Sequence, residues 1–351
     1  MSLRCSSTRS NVRQRASAVF ALLWLCVLLA GCARDPVERQ ESFVFGTRVE
    51  VVVYGVDRAQ ARDALGEVLR EFDRLHRLLH AWQPSELTRI NAAIAAGQPA
   101  DIDDEMAQLL ADVKATALRG EDLFNPAAGA LIAAWGFHAD EFLPQRPDAA
   151  TLSALIAARP RMADVDIDAG PAGGHRLSSR NAAVQFDLGG YAKGYALDRA
   201  AALLRARGVR NALINIGGNV MALGRKGDQP WRVGIQHPRK SEALASVELR
   251  DGEAIGTSGD YQRYFELDGE RLCHLIDPRD GQPVRYTQSL TVLIPAAPGA
   301  GARSDADSKP LFIAGRDHWQ ALAARVGVSH ALRVDRDGSV VATSDMQARL
   351  R

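Results

Sequence analysis

The sequence predicts an α+β fold. Apolar residues recur at helical spacing in the first half of the chain, and short strands joined by Asp-Gly turns fill the second half. The regular strand–helix alternation of a doubly wound parallel sheet is missing. Taken in order, Val49, Val51 and Val53 lie at strand spacing. Leu65, Val68, Leu69, Phe72 and Leu79 then mark one face of a helix, as do Met106, Leu109, Leu110 and Val113. A third helix is expected from near Ala192 to Ala206, stopped by Gly208. Beyond Asn211, strands are expected at Ala212 to Ile216, Trp231 to Ile235 and Ser246 to Leu249. Tyr264 to Leu267 and Arg271 to Ile276 flank Asp268-Gly269, and His330–Val334 and Ser339–Thr343 flank Asp337-Gly338, the dipeptide that favours tight hairpins. Helical segments return near Leu311 and over Trp319–Val326.

The 351 residues suffice for one large domain or two medium ones. Hydrophobic residues make up 46% and charged residues 24%, so a disordered chain is excluded. The 43 Lys+Arg against 42 Asp+Glu leave no basic excess to neutralise phosphates, so no nucleic-acid partner is expected. Four Cys, widely scattered, form neither a disulfide scaffold nor a zinc spacing.

The N-terminus reads as an address. Arg4, Arg9, Arg13 and Arg15 precede an apolar run from Ala16 to Ala30, with no acid before Asp35. The run is shorter than the roughly 20 residues of a spanning helix and has the length of a signal-peptide core. It ends in Leu29-Ala30-Gly31-Cys32, which resembles a bacterial lipoprotein processing box. That resemblance implies a signal peptide over residues 1–31, lipidation of Cys32, and a tether over 32–42. The alternative is a plain membrane anchor with an incidental cysteine. Processing would remove Cys5 and Cys26 and leave Cys273 as the sole thiol, so no internal disulfide is expected. The implied place is a membrane-anchored lipoprotein facing the periplasm, on the inner or outer membrane.

Four stretches could carry chemistry. In Val184-Gln-Phe-Asp-Leu-Gly-Gly-Tyr-Ala-Lys-Gly194 a strand ends at Asp187, Gly189 and Gly190 turn the chain, and a helix begins with Lys193 in its first turn. A helix start with glycines before it is an anion site, because its N–H groups are free and its dipole end is positive. The same stretch serves equally as a turn with a surface lysine. Asn215-Ile-Gly-Gly-Asn219 offers a bare backbone to a flat ligand, or is a simple turn. Thr257-Ser-Gly-Asp-Tyr261 precedes His274-Leu-Ile-Asp-Pro278, where His274 is a candidate general base. Asp277 could orient it only against strand alternation, and a lone histidine is more often structural. Ser304-Asp-Ala-Asp-Ser308 gathers oxygen donors suited to Mg²⁺, though alone it reads better as a solvated loop capping the next helix.

In this order the segments resemble the ApbE family, the FAD:protein FMN transferases. The likeness runs from about Phe43 to Val326 and takes in Phe45-Gly-Thr47, Ser85-Glu-Leu-Thr-Arg-Ile-Asn91, Phe124-Asn-Pro126, Trp135-Gly-Phe137 and the four stretches above. The resemblance implies an α+β duplication of a T-fold-like unit over residues 43–345. It implies that FAD is the substrate and is split at its pyrophosphate. FMN then passes to a Thr or Ser of an acceptor protein with a D-x-x-S/T-G-A-T motif, such as a respiratory electron-transfer subunit, and AMP leaves. The alternatives on the same site are a periplasmic FAD pyrophosphatase and a non-enzymatic flavin-binding accessory lipoprotein.

By resemblance, Phe45, Trp82 and the segment Leu123, Phe124 and Asn125 line the flavin or adenine pocket. Asp187, Lys193 and Ile276 contact FAD, and His274 is the base. Mg²⁺ falls to the Gly190 carbonyl and Asp305, with Ser308 nearby. Three positions depart from the family pattern: Phe45 replaces a usual Met, Asn125 a usual acid, and Lys309 the Thr that ligates Mg²⁺. An ammonium has no lone pair for a metal. Either Asp307 or Ser308 takes the ligand role, or Lys309 neutralises pyrophosphate charge, or the chain binds flavin without transferring it.

Overall fold

The computed structural model describes residues 36–170 and 173–351, and the compact body begins at Val37. Its centre is an eight-stranded antiparallel sheet whose spatial order follows the chain. The strands are β1 (Val37–Val44), β2 (Thr47–Tyr54), β3 (Ala212–Ile216), β4 (Asn219–Leu223), β5 (Ala254–Gly259), β6 (Thr287–Ile294), β7 (His330–Asp335) and β8 (Val340–Ala342). The helices are α1 (Arg58–Leu78), α2 (Glu86–Ala95), α3 (Asp104–Arg119), α4 (Gly129–Ala134), α5 (Ala149–Ala158), α6 (Ala192–Ala206), α7 (Ala300–Ala306), α8 (Ser308–Ile313), α9 (Trp319–Val326) and α10 (Ser344–Arg349). The expected α+β class is the class observed.

Strand alternation divides the core. Val49, Val51 and Val53 face a layer of α1, α6, α8 and α9, in one cluster with Phe72, Leu197, Leu311 and Trp319. Val52 and Tyr54 face the other way, where the hairpin of Trp231–Gln236 and Ala243–Leu249 covers the sheet. A further cluster joins α2 and α3 to Val165, Leu177, Phe186 and Leu188.

Four local details differ from expectation. The tether expected over 32–42 overlaps β1, whose eight residues all pair with β2. The end expected at 345 falls short as well, because Leu350 bridges Val247 and Arg349 pairs with buried Glu253 at 2.7 Å. The strand expected over Arg271 to Ile276 breaks at His274: Glu270–Cys273 pairs with Tyr264–Leu267, and Ile276–Asp277 pairs with Gln282–Pro283. The segment leading to Asp187 is extended but bridges its neighbour only once, Gln185 to Ala128. Cys32, with the signal segment, lies outside the described residues.

The approach of α6 to α7 positions the site. A Cβ on Gly194 would lie 2.2 Å from the Gly301 carbonyl oxygen, so only glycine permits this contact. Asp198 of α6 accepts the Gly301 and Ala302 N–H groups at 2.9 and 2.8 Å, which caps α7 from outside. In return, Gly194 N–H donates to Asp305 of α7 at 3.1 Å.

Candidate active site

A cavity of about 690 Å³ opens where the start of α6, the β1–β2 turn and the strand break at His274 converge. It is lined by Phe45, Trp82, Leu123, Phe124, Asn125, Asp187, Gly190, Lys193, His274, Ile276 and Asp305, and also by Lys309. The fold thus gathers residues up to 264 positions apart in sequence, from Phe45 to Lys309. Ser308 does not line it. Its hydroxyl donates to the Asp305 carbonyl at 2.6 Å and meets Ser258 Oγ at 2.7 Å.

One wall is aromatic. Phe45 and Gly46 form the two-residue β1–β2 turn, both with positive φ, 56° and 68°. Such turns suit the right-handed twist of paired strands. Phe45 is held in this costly backbone region by edge contacts to Phe72 and His76, with ring centroids 6.2 and 5.7 Å away. Trp82 stacks on His138 at 5.2 Å and 22° between planes. The Arg263 guanidinium lies 6.0 Å from the Trp82 ring centroid and donates to the Phe137 carbonyl at 2.7 Å.

Asp187 stands where α6 approaches. It accepts the Gly189 N–H at 2.8 Å and lies 2.9 Å from His138 Nε2. Burial would raise its carboxyl, but the His138 contact prevails and holds it at about 2. The strand leading to it is braced from behind. Buried Asn91 accepts the Phe186 N–H at 2.7 Å and donates to the Phe186 carbonyl at 3.0 Å. Asn125 donates to the Pro160 carbonyl at 2.8 Å, so its amide serves the loop that carries Leu123 and Phe124.

His274 presents a neutral ring. Its Nδ1 lies 3.1 Å from the Arg263 carbonyl, which can only accept, so Nδ1 carries the proton and Nε2 keeps a lone pair. Burial, then the Arg263 charge, pull its pKa down to about 3. Asp277 plays no part in orienting it. That carboxylate is clamped by Arg279 at 2.9 and 2.6 Å.

Lys193 donates to the Gly189 carbonyl at 3.0 Å and stands 3.8 Å from Asp305 Oδ2. Lys309 ion-pairs with Asp305 Oδ1 and donates to the Asp305 carbonyl at 2.7 Å. Burial draws the Lys309 ammonium down to about 8 against the pull of Asp305. The Asp305 carboxyl is held at about 2, since the two lysines outweigh its own burial. Both Asp305 oxygens are therefore engaged. Asp307 turns away to Arg303 at 2.9 Å and does not line the cavity. This donor set does not fit the Mg²⁺ site that the resemblance implied through Asp305 and Ser308. Among the described residues, no cluster of three His, Cys, Asp or Glu is placed to hold a metal.

Three contributors escaped the sequence reading: His138, Arg263 and the bracing role of Asn91. His138 directly follows Trp135-Gly-Phe137, which is the only signal that could have drawn attention to it.

The ApbE family model matches residues 45–332. The chain is 43% identical over 356 aligned residues to an FAD:protein FMN transferase of Rhodobacter capsulatus, covering 99% of this chain and 66% of that one. It is 32% identical to an FAD:protein FMN transferase of Klebsiella pneumoniae, over 88% of this chain and 90% of its relative. Among solved structures, the ApbE protein of Thermotoga maritima superposes with a TM-score of 0.81 at 28% identity, over 90% of this chain and all of that one. The apo form of Pseudomonas stutzeri flavinyl transferase ApbE gives 0.77 at 31%, over 90% of this chain and 97% of its own.

Proposed function

This chain belongs to the ApbE family, and on that premise we propose that it is an FAD:protein FMN transferase. The observation that carries the reading is the meeting of three features in one cavity: an aromatic wall, a lysine-bearing helix start and a neutral histidine with one ring nitrogen unprotonated. Simple flavin binding has no need of that nitrogen, whereas activating a hydroxyl does.

An acceptor hydroxyl oxygen attacks the FMN-side phosphorus, and its proton passes to His274 Nε2. The new O–P bond forms as the pyrophosphate P–O bond breaks, and the electron pair leaves on AMP. Trp82 and Phe45 offer faces to the flat rings of FAD. Lys193, Lys309 and Arg263 offset charge gathering on the phosphoryl oxygens, which is where most catalysis of phosphoryl transfer lies. Asp187, braced by His138 and Asn91, fixes the loop before α6. No step is routed through a divalent ion, since the donor set does not fit one.

The acceptor is a protein segment with the D-x-x-S/T-G-A-T pattern. The chain is held through a lipid on Cys32 and faces the periplasm, as the first 32 residues suggest. No helix among the described residues is long and apolar enough to cross a membrane.

The test is to mix the full chain in detergent with FAD and an acceptor peptide and to weigh the peptide by mass spectrometry. A gain of one FMN, lost in His274→Ala, is expected. Free FMN and AMP without peptide gain would assign the chain to FAD hydrolysis instead. Intact FAD would leave it a flavin binder.

A further inference from the structure

We propose that the Lys309 ammonium takes the place of a divalent cation beside the FAD pyrophosphate, so that FMN transfer by this chain runs without added metal. The inference rests on the transferase reading above and assigns the electrostatics of that same site.

The geometry argues it in three steps. First, Lys309 and a metal would compete for one oxygen. The Nζ of Lys309 is bonded both to Asp305 Oδ1 and to the Asp305 carbonyl, and the other carboxylate oxygen accepts the Gly194 N–H. A cation binding Asp305 would have to displace the ammonium and then sit beside it, with Lys193 also within 3.8 Å of the carboxylate. Like charges crowded around one buried carboxylate exclude each other. The remaining oxygen donors nearby, Ser308 and Asp307, are turned to Ser258 and Arg303.

Second, the ammonium is delivered to the cavity by design of the backbone. Lys309 is only 9% exposed, yet it lines the cavity. Its stem crosses Gly190, where a Cβ would come within 3.1 Å of Lys309 Cε and 3.0 Å of Phe124. A side chain at position 190 would push the lysine off the floor of the site. The bare Gly190 therefore leaves room for the lysine stem.

Third, the local arrangement of charge suits the ligand. Lys309 and Lys193 both stand against Asp305, at ion-pair contact and at 3.8 Å, so two cations face one carboxylate on the side of the cavity where α6 begins. Burying an ammonium is unfavourable unless it is paired. Here the pairing is shared between two lysines and one carboxylate, so an arriving phosphate oxygen gains a cation that is incompletely neutralised.

Two measurements test this on the full chain in detergent. One follows AMP release from FAD with acceptor peptide, in EDTA and in Mg²⁺. The other titrates Mn²⁺ by electron paramagnetic resonance into the chain with FAD, referenced to FAD alone. In EDTA the wild type is expected to keep its rate to within about threefold, while Lys309→Thr loses about a hundredfold, the scale of one missing charge at the reacting centre. Lys309→Thr is also expected to hold Mn²⁺ at least about tenfold more tightly than wild type. Lys309→Met, which keeps the stem and loses the charge, should slow release by a similar factor in both solutions. A wild-type rate that collapses in EDTA overturns the proposal. So does Mn²⁺ bound by wild type as tightly as by Lys309→Thr, a comparison still decisive when no AMP appears. Absence of AMP under every condition would refute the transferase reading itself.

Discussion

His274 Nδ1 and the Arg263 carbonyl oxygen stand 3.1 Å apart, and the backbone N–H of His274 donates to that same oxygen at 3.1 Å. One carbonyl thus carries the hairpin ladder one step past Cys273, fixes the ring orientation and selects its tautomer. The Arg263 side chain meanwhile reaches Phe137 and Trp82. A single residue therefore couples the base to the aromatic wall.

The first prediction concerns that base. His274→Ala should lower kcat by about 10²–10⁴-fold, the ordinary worth of general base catalysis, with FAD affinity little changed. Its pKa lies at about 3, below the ordinary histidine value, so the neutral form persists as pH falls. The kcat/KM profile should therefore stay flat from about pH 7 down to about 5, without the drop near 6.5 that an unperturbed imidazole gives, and should fall above about pH 8 as the Lys309 ammonium loses its proton. A tenfold loss per pH unit below 6.5 that persists unchanged in His274→Ala would remove His274 from the role.

His138 supplies the second. Its ring holds buried Asp187 as a carboxylate at 2.9 Å, so Asp187 titrates at about 2, below its ordinary value. The paired carboxylate contributes stability above about pH 4, and this is lost as pH falls through 2. His138→Phe keeps a ring against Trp82 but removes the partner. At pH 7 the stranded carboxylate should cost about 1–3 kcal/mol. Burial then pushes its pKa up, so the deficit should shrink at lower pH, where the carboxyl becomes neutral. Urea unfolding at pH 7 and pH 4.5 measures both. An equal deficit at the two values would mean that lost packing, not charge, is responsible.

What was legible in the sequence follows from how local each signal is. The helix over Ala192–Ala206 and the strand over Ala212–Ile216 match expectation to the residue, because periodicity and flanking glycines lie within the segments themselves. β1 was not legible. Val37-Glu-Arg-Gln-Glu-Ser reads as a polar tether, and its strand is stabilised by charges across β2, Arg39 with Glu50 at 2.5 Å and Arg48 with Glu41 at 2.8 Å. Lys309 stood out as a misfit, but only the fold shows that it clasps Asp305. His138 and Arg263 enter the site from loops whose course is set by distant packing, so no spacing in the chain announces them.

Asn91 gives the third prediction. It exchanges two hydrogen bonds with the Phe186 backbone, 95 residues away, and so stands in for a strand neighbour. Asn91→Ala would leave a buried N–H and a buried carbonyl unpaired, each worth about 1–3 kcal/mol. The expected loss is about 2–5 kcal/mol in urea unfolding, together with weaker FAD binding, since Phe186 precedes Asp187. A loss confined to FAD binding, with unchanged stability, would contradict the bracing role.

Gly194 gives the last. It lies where α6 crosses α7, and two of the three atoms nearest a new Cβ are backbone: the Gly301 carbonyl would sit 2.2 Å away and the Ala302 Cα 2.7 Å, with the Asp305 Cβ also at 2.7 Å. Neither backbone atom can rotate away as a flexible side chain would, so Gly194→Ala must push the helices apart. The shift would lengthen the Gly194 N–H bond to Asp305 and loosen the Asp198 cap on Gly301 and Ala302. Overpacking alone costs about 1–3 kcal/mol, and a lost cap adds about 1 more. The expected outcome is a destabilisation of about 2–4 kcal/mol and a fall in AMP release larger than that of Asp198→Ala, which loses the cap but leaves Asp305 in place. If the two variants lose activity equally, the α6–α7 contact does not position Asp305, and the cap alone sets the geometry of the site.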